Sequence, residues 1–236
     1  MSATVVLVHG AFHGAWCWSF VEKGLVERGV ETRAVDLPGH GQSPLPLCGL
    51  REDAAAVGRV LRDCAGPIVL CGHSYGGAVI TEAVEPGMPV AELVYLAAVV
   101  PDVGESFETG VPEMIEAPIA SSLVAGRAEG SFEVDPERAG EIFYHDCDAA
   151  LAAWAVSQLG PHGLDTLQAR VTRAPWRELP STYVVCEEDR TLAVAAQRRA
   201  AARCSRALAW RTGHSPMLSR PELLVALLVE LAHSAG

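Results

Sequence analysis

A chain of 236 residues with 50% apolar and 20% charged side chains can bury one sizeable core, which excludes a disordered or fibrous protein. Its net charge of −11, from 29 acidic against 18 basic side chains, argues against nucleic acid or an anionic membrane surface as a partner. No apolar run approaches the roughly 18 residues of a membrane span, and the short run Thr4–Val8 enters a glycine turn with no charged leader before it, so a cytoplasmic protein is expected.

In chain order, short apolar runs alternate with longer Ala/Leu/Arg/Glu segments, the rhythm of β-α units around a parallel sheet. Strands are predicted at Thr4–Val8, Glu31–Asp36, Ile68–Cys71, Glu92–Ala98, Thr182–Cys186 and Ala207–Trp210. Several are apolar throughout rather than alternating, as strands covered on both faces are. Helices are predicted at Trp16–Arg28, Leu50–Cys64, Gly76–Val84, Leu192–Arg203 and Pro221–His233, the last opening on a proline that its first turn tolerates. The expected fold is one α/β domain over 1–236, with a mostly parallel sheet of about six strands and helices on both faces.

From Pro101 to Trp176 the alternation stops. No strand is predicted there, only short helices around Glu137–Tyr144, Ala149–Leu159 and Leu164–Arg170. So long a stretch without a strand is no ordinary loop. It reads as a helical cap, inserted at about 102–176 over the carboxyl edge of the sheet, where open α/β sheets bind ligands.

The strongest local signal is Ile68-Val-Leu-Cys-Gly-His-Ser-Tyr-Gly-Gly77, a strand running through Gly72-x-Ser74-x-Gly76 into a helix. A serine on so tight a turn is strained and thrusts its hydroxyl outward, and the positions two before and two after it must be small. The pattern is common by chance; its place between a buried strand and a helix makes Ser74 a candidate nucleophile.

A serine hydroxyl needs a base. Of eight histidines, His73 neighbours Ser74 in sequence but on such a turn points away from it. His214 lies in Thr212-Gly-His-Ser-Pro216, after the last strand and at the catalytic edge. An orienting acid comes from Glu187-Glu-Asp189, after the preceding strand; Asp189 is preferred, with Glu187 and Glu188 in reserve. The order Ser74, Asp189, His214 is that of α/β hydrolases. The oxyanion donors are expected to be the backbone amides of Tyr75, directly after the serine, and of Ala11, in the turn His9-Gly-Ala-Phe-His-Gly14. Phe12, Tyr75 and Trp154 are candidate walls of a substrate pocket, with Phe143, Tyr144 and Trp176 as further aromatics of the cap. His9 and His13 are read as shaping the first loop, and His40 as a hydrogen-bonding spacer. The seven cysteines are scattered without C-x-x-C spacing, so neither a disulfide framework nor a zinc site is expected.

These residues resemble the α/β-hydrolase superfamily, and within it the branch of plant methyl esterases of the salicylate-binding type and hydroxynitrile lyases. The similar segments are His9-Gly-Ala-Phe-His-Gly-Ala-Trp-Cys-Trp18, Val35-Asp-Leu37, Gly72-His-Ser-Tyr-Gly-Gly77, Leu96-Ala-Ala98 with Pro101-Asp102, Tyr183-Val-Val-Cys186 with Glu188-Asp189, and Gly213-His214 with Met217-Leu218. The likeness is thin from Gly104 to Trp176. It implies Ser74 as nucleophile, Asp189 as acid, His214 as base, and Ala11 and Tyr75 as oxyanion amides. Lyases of the branch carry threonine and lysine where this chain has Gly10 and Ser215, so the resemblance favours the esterase.

The expected function is hydrolysis of a small, largely apolar carboxylic ester, a methyl ester or thioester among the candidates, with no metal or organic cofactor. The alternatives are a lyase or carbon–carbon hydrolase on the same triad, and a small-molecule receptor that retains it.

Overall fold

Thr4–Val8 form β1, and the computed structural model, which describes residues 2–110 and 114–236, shows why the strand is buried from end to end. Val5 and Leu7 pack on one face of the sheet with Trp18, Val21 and Leu25, whereas Val6 and Val8 pack on the other with Leu50, Val57 and Val79. A strand sandwiched in this way has no polar face to offer. A 3₁₀ turn at Ala15–Trp18 leads into α1 (Ser19–Val26), so the predicted helix from Trp16 starts later, after a tighter turn that buries Trp18. It also ends sooner than Arg28, since Gly29 at φ 72° caps it through a bond to the Val26 carbonyl. Then come β2 (Thr32–Val35), α2 (Leu50–Arg62), β3 (Ile68–His73), α3 (Gly76–Ala83) and β4 (Val90–Leu96).

Between β4 and the next strand of the main sheet the chain makes its long excursion: α4 (Phe107–Gly110), α5 (Ala117–Ala120), β5 (Leu123–Ala125), β6 (Ser131–Val134), α6 (Pro136–Phe143), α7 (Ala149–Gln158), β7 (His162–Gly163) and α8 (Asp165–Gln168). The expectation of a purely helical insertion is corrected here, because β5, β6 and β7 make a small antiparallel sheet. β7 is two residues long and β5 only three, the latter exposed along its length, so neither is long enough to show a strand's period in the sequence. The predicted helices of this region are present as α6, α7 and α8, within a residue or a few of their expected ends.

The main sheet resumes with β8 (Ser181–Cys186), followed by α9 (Val194–Ala201), β9 (Arg206–Trp210), α10 (Pro216–Ser219) and α11 (Pro221–Ser234). α9 is shorter than predicted at both ends; Leu192 instead forms an isolated bridge with Ile115 of the excursion. The order across the sheet is β2-β1-β3-β4-β8-β9 and every pairing is parallel. α1 and α11 supply one apolar layer, and α2, α3 and α9 the other. All six strands therefore end at one edge, and the loops that leave β1, β3, β8 and β9 there carry Ala11, Ser74, Asp189 and His214.

Candidate active site

Ser74 stands at the junction of β3 and α3 with φ 54°, a left-handed conformation that costs a non-glycine residue roughly 1–3 kcal/mol. The surroundings impose it. Its N–H donates to the Leu96 carbonyl at 3.2 Å, and its own carbonyl accepts from Gly77 N–H at 3.0 Å and Val99 N–H at 3.2 Å. The flanking glycines follow from the same tight turn. A Cβ on Gly72 would lie 2.5 Å from the Gly76 carbonyl oxygen, and one on Gly76 would lie 2.7 Å from the carbonyl oxygens of Val8 and His9.

His214 is buried, and its Nδ1–H donates to Asp189 Oδ2 at 2.7 Å. The two reserve acids are engaged elsewhere, Glu187 with Arg198 and Glu188 with Arg211. The Asp189 carboxylate accepts three further bonds: from Thr191 N–H at 2.7 Å and Leu192 N–H at 3.0 Å on Oδ1, and from Gln197 Nε2 at 2.8 Å on Oδ2. Gln197 is itself locked, its Nε2 also donating to the Leu192 carbonyl and its Oε1 accepting Cys186 N–H at 3.0 Å. This residue escapes a sequence reading because nothing distinguishes it from any glutamine on a helix.

His73 does not line the cavity with Ser74 and holds the loop of His214, its Nε2–H donating to the His214 carbonyl at 2.8 Å. Burial first, and then the neighbouring His214 and His13 imidazoles, push its pKa well below the usual histidine value. His73 is therefore neutral at a ring separation of 4.6 Å from His214 and does not oppose a positive charge forming there.

His9 and His13 shape the first loop through its carbonyls. Leu37 N–H donates to His9 Nε2 at 3.1 Å, which leaves the proton on Nδ1 to be donated to the Gly10 carbonyl at 2.8 Å. His13 Nδ1–H donates to the Ala11 carbonyl at 2.7 Å while its Nε2 accepts the Tyr144 hydroxyl at 2.8 Å. Burial drives the His13 pKa down to about 4, so it too is neutral. With the Gly10 carbonyl held from behind, the Ala11 N–H of the same peptide points the opposite way. Among the described residues, neither this amide nor that of Tyr75 donates to a protein acceptor.

Ser74, His214, Ala11 and Tyr75 line one cavity of about 360 Å³, together with Phe12, His13, Phe107, Ile115, Ile119, Leu123, Phe132, Phe143, His162, Thr166, Leu167, Thr191 and Leu192. Among the described residues, its wall carries no Asp, Glu, Lys or Arg. Phe12 lies in it and Trp154 does not: Trp154 is 39% exposed and packs edge-to-face on Trp16. Trp176 likewise stands outside, donating to the Pro101 carbonyl. His40 is the spacer it was read to be: its Nδ1–H is held by the Pro38 carbonyl and its Nε2 meets His162 Nδ1 at 3.0 Å, tying the loop after β2 to β7. Tyr75 is anchored by its hydroxyl, which donates to the buried Asp53 at 2.7 Å. Among the described residues no cluster of His, Cys, Asp or Glu could hold a metal ion, and no helix is long and apolar enough to cross a membrane.

A strained serine at a strand-to-helix turn, a carboxylate-held imidazole and a six-stranded parallel sheet define the class of α/β enzymes with hydrolase architecture. The model of the alpha/beta hydrolase family matches residues 5–227, and the chain belongs to that family. It is a hydrolase of the esterase type. It is 31% identical to alpha/beta hydrolase nvfD of Aspergillus novofumigatus, over 100% of this chain and 98% of that one. It is 28% identical to methylesterase 7 of Arabidopsis thaliana, over 96% and 95% of the two chains. The solved structure of a pyrethroid hydrolase from Sphingobium faniae superposes with a TM-score of 0.85 at 24% identity, covering 99% of this chain and 98% of that one, a likeness of fold.

Proposed function

We propose that the protein hydrolyses a neutral, largely apolar carboxylic ester, a methyl ester or thioester within its range, through Ser74, His214 and Asp189 and an acyl-enzyme. The observation that carries this reading is the 2.7 Å bond from His214 Nδ1 to Asp189, with His214 and the strained Ser74 opening onto the same largely apolar cavity. With its proton held on Nδ1, the imidazole has only Nε2 free to accept the serine proton. Ser74 Oγ attacks the carbonyl carbon as that proton moves to His214. The resulting oxyanion is bound by the Ala11 and Tyr75 amides, each such donor contributing about 3 kcal/mol to lowering the barrier. Collapse expels the alcohol or thiol, which takes the proton from His214. A water, deprotonated by His214, then attacks the acyl-enzyme, and the acid leaves as Ser74 regains its proton.

The cavity supports the substrate class. Among the described residues, aromatic and branched side chains dominate its wall and no fixed charge faces a ligand, so burying a carboxylate or ammonium against them would go uncompensated. The excursion between β4 and β8 supplies most of that wall, and we take it to act as the cap over the site.

The same geometry disfavours a lyase. A Cβ on Gly10 would lie 2.8 Å from Ser74 Cβ, which leaves no room for the threonine such enzymes carry, and Ser215 offers no cation to a departing anion.

The test is Ser74→Ala assayed with p-nitrophenyl butyrate and a panel of methyl and thioesters. The expected result is loss of turnover to the uncatalysed rate, with fluorophosphonate labelling abolished. Wild-type turnover in the variant overturns the reading.

A further inference from the structure

The chain leaves α6 through His145-Asp146, a dipeptide that none of the catalytic steps uses. It stands against both loops that carry the acid and the base. His145 Nε2–H donates to the carbonyl of Glu188, the residue before Asp189, at 2.9 Å. Asp146 Oδ2 accepts the N–H of Gly213, the residue before His214, at 2.7 Å, and also the hydroxyl of Ser219 in α10 at 2.7 Å. The fit is close: a Cβ at Gly213 would lie 2.7 Å from Asp146 Oδ1 and 2.9 Å from His145 Nε2, so any larger residue there would have to displace the dipeptide's side chains. Asp146 Oδ1 is buried without a partner. A carboxylate held so, with one oxygen stripped of water, is costly to keep and marks a side chain fixed by its surroundings.

β8 and β9 fix only the roots of the two loops, their last paired residues being Cys186 and Trp210. Beyond that point the loops are joined to each other by Glu188 N–H to the Thr212 carbonyl at 3.0 Å. His73 holds the His214 carbonyl on one side. On the other side the Gly213 N–H, one residue back in the chain, has Asp146 as its partner. We propose that His145-Asp146 is a positioning element that sets the register of the base loop against the acid loop, and so keeps His214 aligned for proton transfer. This inference rests on the triad reading given above. It also makes the excursion part of the catalytic framework and not only a wall over it, because the element arises from the end of α6.

The experiment compares Asp146→Ala, Asp146→Asn and His145→Ala in the full chain, with p-nitrophenyl butyrate as substrate and active sites counted by fluorophosphonate titration. For Asp146→Ala, kcat per titrated site is expected to fall about 10- to 100-fold, since a misplacement of about 1 Å costs on the order of 100-fold. KM should move less than about threefold, because the dipeptide does not line the substrate cavity. Asp146→Asn can place its carbonyl oxygen where Oδ2 stands and accept both bonds, and should recover kcat to within about fivefold. His145→Ala should lose about 3- to 10-fold. A merely structural role predicts a lower titrated fraction or a lower Tm with wild-type kcat per titrated site. That result overturns the proposal, as does a loss confined to KM or an asparagine variant as slow as the alanine one. Should Asp146→Ala fail to fold, His145→Ala decides the matter, and wild-type kcat in that variant is refutation. Ser74→Ala separates the two levels: if it remains active the triad reading fails, whereas if it is dead and Asp146→Ala turns over normally, only this inference falls.

Discussion

Replacing Asp189 by asparagine tests the electrostatic core of the site with almost no change in shape. The native carboxylate accepts four bonds, two backbone N–H groups on Oδ1 and Gln197 with His214 on Oδ2. An asparagine has one acceptor oxygen and one amino group, so two orientations compete. With its amino group toward Thr191 and Leu192, two buried backbone donors face a donor and are orphaned, at about 1–3 kcal/mol each. With its amino group toward His214, only Gln197 is frustrated. That side chain cannot turn over to help, because its Oε1 is bound to Cys186 N–H and its Nε2 to the Leu192 carbonyl. His214, by contrast, can adapt by moving its proton from Nδ1 to Nε2. The second orientation wins by roughly one orphaned donor. It leaves the imidazole protonated on the nitrogen that accepts the serine proton in the mechanism proposed above. A wrong-tautomer base in a triad costs about 10⁴ in kcat, the value known from another serine enzyme, which is about 5.4 kcal/mol of barrier at 1.36 kcal/mol per tenfold. Stopped-flow hydrolysis of p-nitrophenyl butyrate and the rate of fluorophosphonate labelling should fall together, with circular dichroism unchanged. An asparagine variant that keeps more than about a tenth of wild-type kcat refutes the tautomer argument.

Two further outcomes follow from the same structure. Burial pushes the Asp53 carboxyl up from 3.8 to about 7, so between these values the folded chain keeps a proton that the unfolded chain has lost. Its contribution to stability is then full below about pH 4 and is lost as pH rises through about 7, an upper bound of about 4 kcal/mol over the three units. Asp53→Asn, whose carbonyl can still accept the Tyr75 hydroxyl, should gain on wild type across that window in urea titrations; a stability difference flat between pH 4 and 8 contradicts the assignment. In the cavity, Phe132→Ala should raise KM about tenfold with kcat within a factor of three, whereas Trp154→Ala should leave both within twofold, because only the first side chain touches the substrate space. Steady-state kinetics on one aryl ester decides it, and a rise in KM for Trp154→Ala would return that residue to the pocket.

What could be read from the sequence divides along a physical line. β1 and β3 are legible because burial on both faces demands unbroken apolar runs, and Ser74 is legible because its strained turn permits nothing larger than glycine at 72 and 76. Those demands act within a few residues and leave a written trace. β7 has no such trace: its pairing of Phe132 with His162 is between distant residues, and two residues cannot show a period. Trp154 is hard to place for a related reason, since an aromatic on a mostly apolar helix looks the same in sequence whether it meets a ligand or, as here, Trp16. The polar groups that hold the site in register are still harder to see. His73 reaches the His214 carbonyl across 141 residues and Asp146 reaches Gly213 across 67, and each needs only one side chain of common type. A nucleophile's constraints are local and steric, whereas those of its supporting hydrogen bonds are set by where two distant loops meet. The hydrogen bonds that hold this site in register are thus visible only in the folded chain, and substitutions at Gln197 and Asp146 should report on catalysis although nothing in their local sequence marks them.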